Sequence, residues 1–135
     1  MIALTGLDFI IEKSVDDDAL AKAIASALSI SVEQVAIIGD IVEQPPKQAY
    51  EVVLLRHAIE GEFAMLISLS CAARSIESTL VLARSVARQL RSSVLIPDDS
   101  KEDPDAMLLA TEAGDVRLVE LDAEALKLDR YCLLP

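Results

Sequence analysis

Tryptophan is absent, histidine occurs once, cysteine twice and glycine four times in this 135-residue chain. Each shortage removes a class of chemistry. With glycine only at positions 6, 39, 61 and 114, neither a G-x-G-x-x-G turn nor a G-x-x-x-x-G-K-[ST] loop is present, so dinucleotide binding through a glycine-rich turn and P-loop chemistry are excluded at the level of motif. Four aromatic residues, Phe9, Tyr50, Phe63 and Tyr131, are too few for the stacking platforms that hold bases or sugars. Cys71 and Cys132 do not make a disulfide scaffold. Cys71 lies within an apolar run and reads as a free buried thiol, which suits a reducing compartment. The first residues lack the basic, apolar and small-residue succession of a secretory leader. Apolar runs such as 52–55 and 64–67 fall far short of the ~18 residues that a membrane span requires. The expectation is a soluble, cytoplasmic protein with no membrane partner, of a length that fits one domain, residues 1–135.

What is present is apolar bulk and negative charge. Hydrophobic residues make up 53% of the chain, and 23 acids against 12 bases set the net charge at −11. Nucleic acid is disfavoured as a ligand, because phosphate binding needs clustered Lys and Arg to displace counterions. An excess of acid keeps an apolar chain in solution, and it also steers association with basic partners.

Residues 4–12 read as a strand rich in β-branched and aromatic side chains. Asp16, Asp17 and Asp18 then signal a helix start, where carboxylates complement the exposed N–H groups and the dipole. Leu20, Ile24, Ala27 and Leu28 recur at helical spacing, and Val15 with Leu20 has the placement of a hydrophobic staple. Ser31-Val32-Glu33-Gln34 matches a capping box, which predicts a short helical turn ahead of a strand over 35–42. Pro45 and Pro46 break the chain. Strands over 50–59 and 63–72 follow as a hairpin, the second alternating Phe63, Met65, Ile67, Leu69 and Cys71 on one face. A second helix spans 75–91 with Ile76, Leu80, Ala83, Ala87 and Leu90 on its apolar side. A short strand over 94–96, an acidic loop over 98–105 and a hairpin over 106–111 and 116–121 complete the pattern, with a helical turn at 123–128. The order β-α-β-β-β-α-β-β-β predicts an α+β fold of two layers: a mostly antiparallel sheet with two helices on one face, built on a ferredoxin-like β-α-β-β-α-β core.

Candidate sites were weighed against that layout. His57 stands near the end of a strand beside Arg56, Glu60 and Glu62, but no second imidazole or spaced Cys/His/Asp set accompanies it, so no metal is expected. A Cys71–His57 dyad fails on distance, because the hairpin register separates the two by ~20 Å at ~3.3 Å per residue. Ser68 and Ser70 lack the glycine-flanked nucleophile turn of hydrolases. In the acidic loop the sixth and twelfth positions of a calcium loop are Asp103 and Leu109, where glycine and glutamate are needed. No catalytic residue and no cofactor is therefore assigned.

Two surfaces remain. The loop carboxylates Asp98, Asp99, Glu102, Asp103 and Asp105 form the expected contact surface for a basic protein partner, with charge complementarity supplying on-rate and specificity. Arg84, Arg88 and Arg91, with Arg74 ahead of them, form a basic stripe expected to flank the apolar side of the second helix, either covering the edge of the core or docking an acidic partner segment.

The succession LARSVARQLRSSV, then Leu95-Ile96-Pro97-Asp98-Asp99, then the hairpin MLLATEAGDVRLVELD and Leu126 to Tyr131 resembles small acidic bacterial proteins of the immunity type. The resemblance covers about residues 75–131 and implies a toxin partner, inhibition by direct binding, a cytoplasmic location and no catalytic residues. The expected function is accordingly a non-catalytic protein-binding module, an immunity-type inhibitor. The alternative is a secretion-chaperone-like homodimer, which the mean hydropathy of +0.40 favours through apolar surface left for an interface, although such chaperones open with a helix and this chain opens with a strand. An enzyme is the third reading.

Overall fold

The computed structural model describes residues 5–39, 51–71, 79–98, 102 and 105–134. Strand β1 (Thr5–Ile11) leads into helix α1 (Asp17–Leu28), a 3-10 turn (Val32–Gln34) and β2 (Val35–Ile38). Next come β3 (Val52–Ala58), β4 (Glu60–Gly61) and β5 (Met65–Cys71), then α2 (Thr79–Leu90). The chain ends with β6 (Val94–Pro97), β7 (Ala106–Ala110), β8 (Val116–Glu120), α3 (Ala123–Leu126) and β9 (Arg130–Tyr131). Among the described residues no helix is long and apolar enough to cross a membrane.

Seven strands form one sheet in the order β2-β3-β5-β1-β6-β7-β8. All neighbours run antiparallel except β2 and β3. The connection from β1 through α1 to β3 brackets β5, and the connection from β5 through α2 to β6 brackets β1. This interleaving is the split β-α-β arrangement of a ferredoxin-like core, extended by β2 on one side and by the β7–β8 hairpin on the other. The α+β fold expected from the sequence is therefore the one observed.

Helix α1 begins where the aspartates place it. Asp16 is the cap, and its Oδ1 accepts the Ala19 N–H at 2.7 Å. Leu20 and Ile24 from α1 and Leu82 and Val86 from α2 meet Phe9, Ile11, Leu54, Met65, Ile67 and Val94 from the sheet in one buried cluster. Val15 packs against that cluster, in keeping with its placement as a staple. The expected capping box does not form. Ser31 makes no side-chain cap, and its hydroxyl donates instead to the Glu33 carboxylate, but the short helical turn expected ahead of β2 is there as the 3-10 turn.

Phe63 also departs from expectation. Met65, Ile67 and Leu69 face the helices, but Phe63 lies ahead of β5 and joins a second cluster with Ile10, Leu95, Met107 and Leu121. The alternation of β5 does not reach it, because the chain turns between β4 and β5. Tyr131 and Leu133 pack against the same second cluster. The face away from α1 and α2 is thus covered in part by the C-terminal segment, which adds to the two layers expected.

That segment is held by main-chain bonds. β9 pairs in parallel with β4, Glu62 N–H donates to the Tyr131 carbonyl at 2.9 Å, and a Glu62 carboxylate oxygen accepts the Leu133 N–H at 3.1 Å. Gly61 makes the approach possible. Its φ is +111°, and a Cβ there would lie 2.6 to 2.9 Å from the Tyr131 backbone. Gly61→Ala is therefore expected to cost about 1–3 kcal/mol in a urea titration, from φ strain and displaced backbone. Amide exchange at Glu62 and Leu133 should accelerate in the same variant; an unchanged midpoint and unchanged exchange would show that the segment is held elsewhere.

Candidate functional site

Helix α2 lies over β6 and β7 and turns a stripe of Leu82, Ala83, Val86 and Ala87 into the core. The stripe follows positions i, i+1, i+4 and i+5, so its opposite face carries positions 81, 84, 85 and 88. Val81 is 64% exposed there, and with Arg84, Ser85, Arg88 and Gln89 it lines a shallow groove of about 340 Å³. Gln89 donates to the Ser85 hydroxyl at 3.2 Å, which ties down the groove's polar edge.

This placement corrects the sequence expectation that the arginines flank the apolar side. Leu82 and Val86 centre the buried face, while Leu80 and Leu90 are only half-buried, and that rotation puts Arg84 and Arg88 outward. Among the described residues neither makes an ion pair; the pairs formed are Arg56 with Asp17 and Lys127 with Glu124. Arg91 leaves the stripe. It sits past the helix end in the left-handed region at φ 52°, and its carbonyl accepts the Lys13 ammonium at 2.8 Å. Ser92, buried beside it, accepts the Lys13 N–H on its hydroxyl at 3.0 Å. The helix terminus is thereby stitched to the end of β1.

Arg88 reaches the turn between β7 and β8. Gly114 adopts φ +97° in that turn, and a Cβ on it would stand 3.7 Å from the Arg88 Nη2. Arg74 lies outside the described residues.

The described carboxylates of the acidic loop differ in exposure. Asp98 is only 7% exposed, and its N–H donates to the Ala106 carbonyl at 3.0 Å, which starts the β6–β7 pairing. Asp105 is half-buried, with its carbonyl accepting the Leu121 N–H at 2.9 Å. Glu102 is exposed. Asp99 and Asp103 lie outside the described residues. Asp98 is thus buried at the point where the β6–β7 pairing begins.

His57 is half-buried and pairs in register with Leu66, while Cys71 pairs with Val52 at the far end of β5. The register therefore keeps the two residues apart, as the hairpin spacing predicts. The Cys71 side chain is outside the described residues; Cys132 carries a free thiol. Among the described residues no three His, Cys, Asp or Glu side chains gather as metal ligands would. One polar contact on the open part of the sheet escaped the sequence reading: the Ser68 hydroxyl donates to the Asp8 carboxylate at 2.9 Å, across neighbouring strands. The alternation of β5 puts Ser68 and Ser70 on its outer face, but only the β1–β5 register reveals the partner.

No family model, no curated protein and no solved structure matches this chain.

The contrast within the acidic loop is directly measurable. Asp98→Lys is expected to lower the melting temperature by several degrees, because a buried charge reversal at a hairpin start costs about 1–3 kcal/mol. Glu102→Lys should leave it within about a degree, as an exposed substitution does. Equal melting temperatures would place Asp98 at the surface.

Proposed function

We propose that this chain is a protein-binding module in which the outer face of α2 receives an acidic segment of a partner protein. The observation that carries the reading is the pair Arg84 and Arg88, exposed and without an ion pair among the described residues, in a chain with 23 acids and 12 bases. Acids outnumber bases almost two to one, yet these two arginines are exposed along one groove. A guanidinium binds a carboxylate through two parallel N–H donors, so two of them one helical turn apart set both the charge and the spacing of the ligand. Val81 adds an apolar contact at one end of the stripe.

The net charge of −11 does not oppose this docking at contact range. Repulsion from acids more than ~8 Å away is largely screened at physiological salt, whereas a carboxylate in contact with Arg84 or Arg88 is not. Remote acids instead penalise every other landing place for an acidic segment, and that difference is specificity. Such a surface could serve an immunity-type inhibitor or a secretion chaperone. The first would dock a folded toxin domain and the second an extended secreted segment. With Asp98 turned inward, α2 supports the binding reading more strongly than the acidic loop does.

The test is a pull-down from the source cells at moderate salt with the wild type and the double variant R84E/R88E, followed by mass spectrometry. A stoichiometric partner held by the wild type should weaken at least tenfold with the variant, because each lost charge-assisted hydrogen bond is worth about 1.5–3 kcal/mol and about 1.4 kcal/mol is tenfold. The melting temperature should hold, since both side chains are exposed. Equal retention by the two proteins would remove α2 from the contact.

A further inference from the structure

Among the described residues, strand β8 ends the sheet order, with β7 on one side and no further strand of the sheet on the other. Its main-chain polarity can be followed residue by residue. The Asp115 carbonyl accepts the Thr111 N–H and the Leu121 N–H donates to the Asp105 carbonyl, so the odd positions bond towards β7. The Glu120 carbonyl accepts the Leu134 N–H and the Asp122 N–H donates to the Cys132 carbonyl, so the even positions face outward. By the same period of two, the N–H and C=O of Val116 and Leu118 face outward as well. Among the described residues, the outer edge is occupied only around the Leu121–Leu133 bridge, by the chain's own C-terminal residues.

The side chains along this free stretch are unusual for an edge. Val116 is 37% and Leu118 69% exposed, and the one charge between them is Arg117, also exposed. Edge strands are normally blunted by charge, proline or a bulge. Here an outward-facing ladder is flanked by apolar side chains on the helix side and by one cation on the other.

A second copy of this chain fits poorly. Pairing the free stretch with itself puts the two-fold axis on Arg117 and sets that residue directly opposite its own symmetry mate, where like charges destabilise a sheet. Sliding the register towards Glu120 meets the C-terminal residues already bonded there, and sliding it the other way meets the β7–β8 turn. Across β7 the register partner of Arg117 is Leu109, and no carboxylate pairs with Arg117 among the described residues. We infer that the outer edge of β8 takes an extended segment of a partner protein by strand addition, with an acidic residue opposite Arg117 and apolar residues opposite Val116 and Leu118. Main-chain bonds would supply the affinity, and the apolar–acidic–apolar alternation the register.

This surface goes beyond the α2 reading, since Arg84 and Arg88 lie in the helix layer and take no part in the ladder. The probe is a soluble synthetic peptide alternating valine and glutamate, with a control in which lysine replaces glutamate, added to the isotope-labelled chain and followed by NMR. Excess valine–glutamate peptide should slow amide exchange at Val116 and Leu118 at least tenfold, and the lysine peptide should not. R117E should invert the preference between the two peptides. L118P should abolish binding with the fold intact, because the N–H it removes points away from β7. R84E/R88E should bind the peptide as the wild type does. Four results would overturn the inference: protection of Val116 and Leu118 that rises with protein concentration in the absence of peptide, as self-pairing gives; peptide binding indifferent to R117E; peptide binding indifferent to L118P; or loss of peptide binding in R84E/R88E. The last would move the peptide to α2, whereas failure of the pull-down with peptide binding preserved would strike only the α2 reading.

Discussion

The pairing of β1 on both of its edges is the constraint on which the rest of the molecule depends. β1 takes β5 along its whole length and β6 at its end, so both halves of the split β-α-β arrangement are joined through one strand. Its register is fixed from two sides at once. Phe9 and Ile11 point into the helix-side cluster and Ile10 into the opposite one, and all three are buried. A slip of one residue would exchange these faces, placing Ile10 under the helices and Phe9 under the C-terminal segment. The junction is also tied at its end. Glu12 N–H donates to the Ser93 carbonyl at 3.0 Å, and Lys13 bonds Ser92 and Arg91 beyond the end of α2. The terminus of α2 is thereby anchored where β1 ends.

The second apolar cluster explains how a sheet with helices on one side keeps its other side partly dry. Sheets of this kind bury one face and hydrate the other. Here Ile10, Leu95 and Met107 are apolar on the second face, and Leu121, Tyr131 and Leu133 come back to meet them. Further along the same face Asp8 and Ser68 are polar and joined by a cross-strand hydrogen bond. The outward residues of β1 and β5 thus change from apolar at Ile10 and Leu66 to polar at Asp8 and Ser68, two residues along each strand.

Local signals were legible in the sequence, and non-local placement was not. Asp16 and the alternation of 65–71 each depend on neighbours within a few residues, and both α1 and the β3–β5 hairpin stand where those signals put them. The rotation of α2 was harder. Leu80, Leu82, Val86 and Leu90 offer two overlapping apolar stripes, and only the packing against α1 and the sheet selects Leu82 and Val86. Asp98 read as one of a run of loop acids, because the run hides the point at which β6 ends and the ladder to β7 begins. For β8, Val116 and Leu118 look like ordinary inward residues of a hairpin. Their exposure depends on strand order, which places β8 at the edge and α2 over β6 and β7.

Charge and edge exposure together decide what kind of association this fold favours. A small domain that leaves apolar residues on an open strand risks pairing with copies of itself. Two features work against that outcome without covering the strand. The net charge of −11 makes encounters between copies repulsive at long range, and Arg117 makes the one geometrically free register repulsive at contact. Neither feature penalises a partner that brings a carboxylate to Arg117. Arg84, Arg88 and Arg117 are exposed cations at which an acidic ligand would meet attraction on a molecule of net charge −11, and selectivity would then arise from the surrounding repulsion as much as from the contacts themselves.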